Sequence, residues 1–194
     1  ILVDLNDPAT MWNVQAFLAR ARFTSWYQEL GAPPMRGAIW INNAKTSLIW
    51  WNLDTDTSYM QFDIALNNMA HAPSGQMGDL FFLDGRLYLS AGTSGFGLID
   101  LLRDEGFRFD TGGMSRYKGN VEERNDGNGP SVVSTTLAIK NNTANNVAAV
   151  RDTTLVDEFN RPVHWWSVGT AGGASIYNPY NDAIYDWHDS NRQS

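Results

Sequence analysis

Three histidines, His71, His164 and His188, are the side chains of this sequence best suited to acid–base or metal work. They lie far apart in the chain, and none has an i, i+4 or His-Glu-x-x-His setting, so spacing supports neither a metal centre nor a general base. Each reads as a surface or packed histidine. The 21 acidic side chains make a glycosidase-like carboxylate pair conceivable, but nothing in their order singles one out. Cysteine is absent, which removes thiolate nucleophiles and Cys-based zinc sites and leaves the compartment open. Asn125-Asp126-Gly127-Asn128-Gly129 has the look of a calcium loop but lacks the alternating acidic positions and closing Glu of an EF-hand, and reads as a turn. No Gly-rich stretch is followed by Lys-Ser/Thr or sits between a strand and a helix, so these are hairpin turns rather than phosphate cradles. Asn141-Asn142-Thr143 fits a glycosylation triplet of a kind that arises often by chance. No catalytic residue, metal ligand or cofactor is assigned.

Aromatic side chains remain. Trp50, Trp51, Trp165, Trp166, Tyr177 and Tyr180 suit stacking on sugar rings, anchoring of a protein surface, or core packing. Adjacent strand residues face opposite sides, so one member of each Trp pair points into a given face. Trp51, Trp165 and Tyr180 are the ligand-binding candidates.

These residues sit in a repeat. Asn52-x3-Asp56-x2-Tyr59, Asp100-x3-Asp104-x2-Phe107 and Asn178-x3-Asp182-x2-Tyr185 share one pattern, each after a short apolar run. Upstream of each lies Asn/Asp followed by a short strand candidate: Asn13 to Phe17, Asp79 to Leu83 and Asn146 to Val150. Between the two come 38–41, 86–89 and 163–168, and after the aromatic come 59–62, 107–109 and 185–187. Short β-branched and aromatic runs bounded by Gly, Asn and Asp make an antiparallel meander. Asn52, Asp100 and Asn178, with Asp56, Asp104 and Asp182 four residues on, are read as structural: their side chains can close the turn onto backbone N–H groups. The third copy lies farther from the second than the second from the first, and the polar, Gly-rich stretch 110–140, about 30 residues, reads as a surface insertion. A helix competes with strand only over Asn13 to Leu30, where apolar positions recur at helical spacing.

The composition is that of a folded chain. Of 194 residues 43% are hydrophobic, 12% aromatic and only 18% charged, which suits one packed domain over 1–194 with units at about 11–63, 77–109 and 144–187. A net charge of −7 repels a phosphate backbone, and Arg20, Arg22 and Arg36 are interrupted by apolar residues, so nucleic acid is not an expected partner. No apolar run approaches the roughly 18 residues of a membrane-spanning helix, and no signal-peptide pattern opens the chain. A start at Ile1 suggests a piece of a longer polypeptide.

The run Trp166-Ser-Val-Gly-Thr-Ala-Gly-Gly-Ala-Ser-Ile-Tyr-Asn178 resembles the blade repeat of regulator-type and YVTN-type β-propellers. Leu87 to Asp100 fits with one Gly displaced, whereas 43–46 replaces the glycines in the first unit. The resemblance implies an all-β, β-propeller-like chain of three degenerate antiparallel blades, part of a larger propeller since about four to eight blades close a ring. The terminal segment 1–5 and residues 132–139 could instead complete a smaller closed arrangement, and a β-sandwich of lectin type is the alternative. The functional expectation is a non-catalytic structural or recognition module of a larger assembly, a virion protein (phage tail or fibre-like) or an extracellular surface protein. Its partners would be other protein subunits or further blades of the same polypeptide, or a glycan. The alternative is a carbohydrate-binding domain or glycan-active enzyme.

Overall fold

The structure, a computed structural model, describes residues 1–65, 68–70, 78–141 and 143–187. His71, His188 and Asn142 lie outside the described residues. Strand β1 (Leu2–Asp4) is followed by helices α1 (Val14–Ala21) and α2 (Ser25–Leu30), then β2 (Arg36–Ile41), β3 (Ser47–Asn52) and β4 (Thr57–Asp63). The middle of the chain forms β5 (Leu80–Leu83), β6 (Arg86–Ser90), β7 (Phe96–Asp100), β8 (Glu105–Asp110), β9 (Gly113–Tyr117) and β10 (Pro130–Ser134). The last part forms β11 (Ala144–Val156), β12 (Pro162–Thr170), β13 (Gly173–Asn178) and β14 (Ala183–Trp187). All pairings are antiparallel, and each sheet is an open meander in chain order: β1 to β4, β5 to β10 and β11 to β14. The chain is therefore all-β in architecture, with two short helices among the described residues.

The second sheet lies between the other two. One of its faces, with Phe82, Leu87, Leu89 and Ile99, shares a core with Ile39, Leu48, Trp50 and Phe62 of the first sheet. The other face, with Tyr88, Phe96 and Phe109, shares a core with Val147, Ala149, Trp166 and Val168 of the third. This placement explains the patterning. Every residue of β6 is buried, because both its faces are covered, whereas β12 alternates buried and half-buried positions, because one face is covered. Within the first sheet, Gly37 on β2 leaves room for the Trp50 side chain of the neighbouring β3, whose Nε1 a Cβ would meet at 2.4 Å.

The repeat positions occupy equivalent hairpins. Asn52 pairs with Thr57, Asp100 with Glu105 and Asn178 with Ala183, in each case closing four residues between the third and fourth strands of a sheet. The last of those four, Asp56, Asp104 or Asp182, takes a left-handed φ of 56°, 61° or 48°, a conformation that Asp tolerates better than most side chains. Asn52 Oδ1 accepts from the N–H of Asp54, Asp100 Oδ1 from Leu102 and Arg103, and Asn178 Oδ1 from Tyr180. In the first and third copies the preceding aromatic donates to the Asp: Trp51 Nε1 to Asp56 at 3.1 Å and Tyr177 OH to Asp182 at 2.9 Å.

Three expectations are corrected. Asn13 to Phe17 is not a strand: Asn13 caps α1, its Oδ1 accepting from Ala16 N–H, and Phe17 and Ala21 are buried by helical spacing. The first strand of that sheet is β1, paired with β2. Residues 110–140 are not merely a surface insertion, since β9 and β10 extend the second sheet to six strands. Closure by 1–5 and 132–139 does not occur: β1 adds to the first sheet, and Val132 pairs with Ser115 in the second.

Candidate functional site

The interface between the second and third sheets contains the described molecule's main concentration of buried charge and a cavity of about 320 Å³. Period-2 alternation builds it. Arg86 and Tyr88 project from one face of β6, with Leu98 and Asp100 from β7 and Phe107 and Phe109 from β8, while His164 and Trp166 face them from β12. The β5–β6 turn, Asp84-Gly85, has positive φ at both positions, as a two-residue hairpin demands.

Four side chains form a closed square of alternating charge. Arg86 Nε meets Asp100 at 3.2 Å and its Nη2 meets Asp157 at 2.7 Å; Arg161 Nη2 meets Asp100 at 2.5 Å and its Nε meets Asp157 at 2.6 Å. Arg161 is fully buried. Its Nη1 donates to Asp84 O, and Arg86 Nη1 donates to Pro162 O. Beside the square, Asp84 accepts two bonds from Arg151, at 2.7 and 2.8 Å, one from Trp12 N–H, and one from His164 Nε2 at 3.0 Å. His164 Nδ1 is 2.5 Å from Tyr88 OH. Three carboxylates thus face three guanidinium groups, and the charge of the buried network balances.

Protonation states follow from these contacts. Burial by itself would raise Asp100, but Arg161 and Arg86 hold its carboxyl far below the ordinary range. Asp84 is likewise lowered against its burial, by hydrogen bonds from His164 and Arg151. His164 is driven down to about 4, chiefly by burial and only partly offset by Asp84, so it is neutral near pH 7. A neutral ring with Nε2–H donating to Asp84 leaves Nδ1 to accept from Tyr88, whose hydroxyl burial raises and so keeps protonated. The arrangement is a fixed relay of satisfied groups that fastens the sheets.

The cavity opens beside this network. Its apolar wall includes Leu98, Phe107, Met114, Leu137 and Trp166; its polar rim includes Arg103, held by Glu158 at 2.9 Å, and Asp182, held by Tyr177. Trp166 and Tyr177 stack with ring centroids 5.2 Å apart.

The aromatic candidates lie elsewhere. Trp165 and Tyr180 come together on the outer face of the third sheet, rings 6.0 Å apart, with Trp165 Nε1 donating to Asp152 at 3.0 Å. Hydrogen bonds from Thr154, Trp165 and Tyr180 hold the Asp152 carboxyl well below its ordinary value. Trp51 is not with them; it lies on the outer face of the first sheet, 5.7 Å from Trp40. Of the repeat positions, Asp100 and Asp182 line the cavity, Asp104 binds the N–H groups of Ser25 and Val121, and Asn52 and Asp56 remain in the first hairpin. Sequence reading missed Asp84, Asp157 and Arg161. The Asp-Gly dipeptide at 84–85, between two apolar runs, is a strong hairpin signal that would have found the first; no local signal marks the other two, which meet Asp100 only through folding. No protein-family model and no curated protein matches the chain.

Proposed function

We propose that this chain is a non-catalytic structural or recognition module of a larger assembly, its sheets acting as propeller-like blades that pack against further blades or other subunits. A virion or an extracellular surface is the setting that this reading favours. The observation that carries it is the character of the two outer sheet faces. On the first sheet Leu2 is 79% exposed beside Trp40 and Trp51; on the third Val150 is 62% exposed beside Trp165, and Trp187 is 69% exposed beside Tyr185. Faces of this kind are what the inner interfaces cover, and large exposed apolar patches mark association surfaces. The balanced pairing of Asp84, Asp100 and Asp157 with arginines also suits a fastening role better than proton transfer. Sedimentation velocity of the chain and of Trp187→Glu tests the reading: the parent should self-associate or bind its neighbours in the assembly, and the variant should lose that binding. Turnover of any glycan in a hydrolysis screen, abolished by replacing one carboxylate, would overturn it.

A carbohydrate-binding reading has its own support in the Trp165–Tyr180 pair, where aromatic rings adjoin the Asp152 carboxylate and Thr154 hydroxyl, a combination suited to a sugar ring and its hydroxyls. A glycan array on the parent and Trp165→Ala distinguishes it.

A further inference from the structure

The two interfaces of the stack present the same hairpin to different fillings. Between the first and second sheets, the β7–β8 hairpin receives the start of α2: Asp104 Oδ2 accepts from Ser25 N–H at 2.6 Å, and Leu101 O accepts from Trp26 Nε1 at 2.8 Å. Trp26 is wholly buried there. In the third sheet the β13–β14 hairpin has the same length, register and left-handed fourth residue. The positions matching Leu101 and Asp104 are Pro179 and Asp182. Both line the open cavity, opposite Leu98, Phe107 and Met114. The cavity's volume, about 320 Å³, exceeds what an indole side chain requires.

We infer that this cavity is a docking site for a protein segment of a partner that inserts a tryptophan, with the preceding backbone N–H directed to Asp182 and the indole N–H to the Pro179 carbonyl. Its wall supplies the apolar and aromatic surface that such an anchor needs, and buried Trp anchors dominate many interfaces. Pro179 O is suited to the task because a carbonyl retains acceptor capacity whatever its residue type. The occupant rests on the recognition reading above, and it concerns the cavity between the sheets rather than the outer faces.

The probe is an acetylated synthetic peptide with the sequence of residues 22–31, titrated into the full chain and followed by methyl NMR. Saturable binding is expected, with shifts at Leu98 and Met114 rather than at Leu101. Replacing the peptide's tryptophan by alanine should weaken binding about tenfold or more. In the protein, Asp182→Asn, which keeps a residue tolerant of positive φ, should weaken it several-fold, and Met114→Trp, which fills the cavity, should abolish it; near-UV circular dichroism checks that both variants are folded. Absence of saturable binding at millimolar peptide would overturn the inference, as would binding indifferent to the tryptophan or to both protein variants. An oligosaccharide bound at these residues would leave recognition standing and overturn this occupant. Loss of outer-face association with peptide binding intact would do the reverse.

Discussion

The two inter-sheet interfaces are held by different means. Between the first and second sheets the space is filled with apolar matter: α1 contributes Phe17, α2 contributes Trp26, and Met69 and Val121 complete the packing. Between the second and third, sheet faces meet along β5, β6 and β11, a charged square fastens one end, and a cavity remains beside it. The hairpin marker records the difference. It is Asn at 52 and 178, where only backbone N–H groups need an acceptor, and Asp at 100, where two buried guanidinium groups converge. One turn motif serves as a simple cap in the outer sheets and as an electrostatic anchor in the middle one.

The comparison is tested most severely by Arg161→Ala. Removing one cation from a buried, balanced network strands carboxylate charge, so a loss of about 3–5 kcal/mol is expected in urea denaturation at pH 7. Trp26→Ala should cost a similar amount through cavity formation, about 3–5 kcal/mol. The two differ in their dependence on pH: the Arg161→Ala loss should shrink as acid protonates Asp100, and the Trp26→Ala loss should not.

Acid itself provides the next test. The unfolded chain's His164 takes up a proton near 6.5 and the native one only near 4. Between those values the unfolded state binds more protons, so stability falls as pH drops from about 6.5 toward 4, by up to about 3 kcal/mol. Asp84 and Asp100, lowered in the native state, then add a further loss as pH falls below 3.8. His164→Gln should remove the first part of this slope and leave the second, measured by thermal melts across pH 3 to 8.

Smaller effects sharpen the contrast. Asn178→Ala should cost about 1 kcal/mol, the value of one capping hydrogen bond, and Asn178→Asp close to nothing. Leu98→Phe, which enlarges a side chain beside the cavity, should change stability by less than about 1 kcal/mol because space is present. An equivalent enlargement at Gly106, where a Cβ would meet Met69 at 2.4 Å, should cost about 1–3 kcal/mol.

Much of this architecture is legible in the residues. Turn chemistry and alternating apolar runs locate the three hairpins at 52, 100 and 178, because both signals are local. Helix α1 competes with a strand in the same sequence, and only the Asn13 cap and the burial of Phe17 and Ala21 on one face decide between them. The stretch 110–140 reads as an insertion because residues 111–130 are polar and Gly-rich, although 132–139 is β-like in composition; β9 and the edge strand β10 nevertheless join the second sheet, since an edge strand needs backbone pairing rather than a buried apolar face. The charged network escapes sequence reading for a different reason: Asp100 and Arg161 are 61 residues apart and meet only through sheet stacking. The aromatic candidates separate in the same way, Trp165 with Tyr180 on one outer face and Trp51 on the other.

A double-mutant cycle on Asp100→Asn and Arg161→Met, read by equilibrium unfolding at pH 7, tests most directly whether the marker position of the middle sheet fastens the third sheet to it. Coupling of about 2–3 kcal/mol is predicted, since removing both partners should cost much less than the sum of removing either. Additivity within about 0.5 kcal/mol would contradict it.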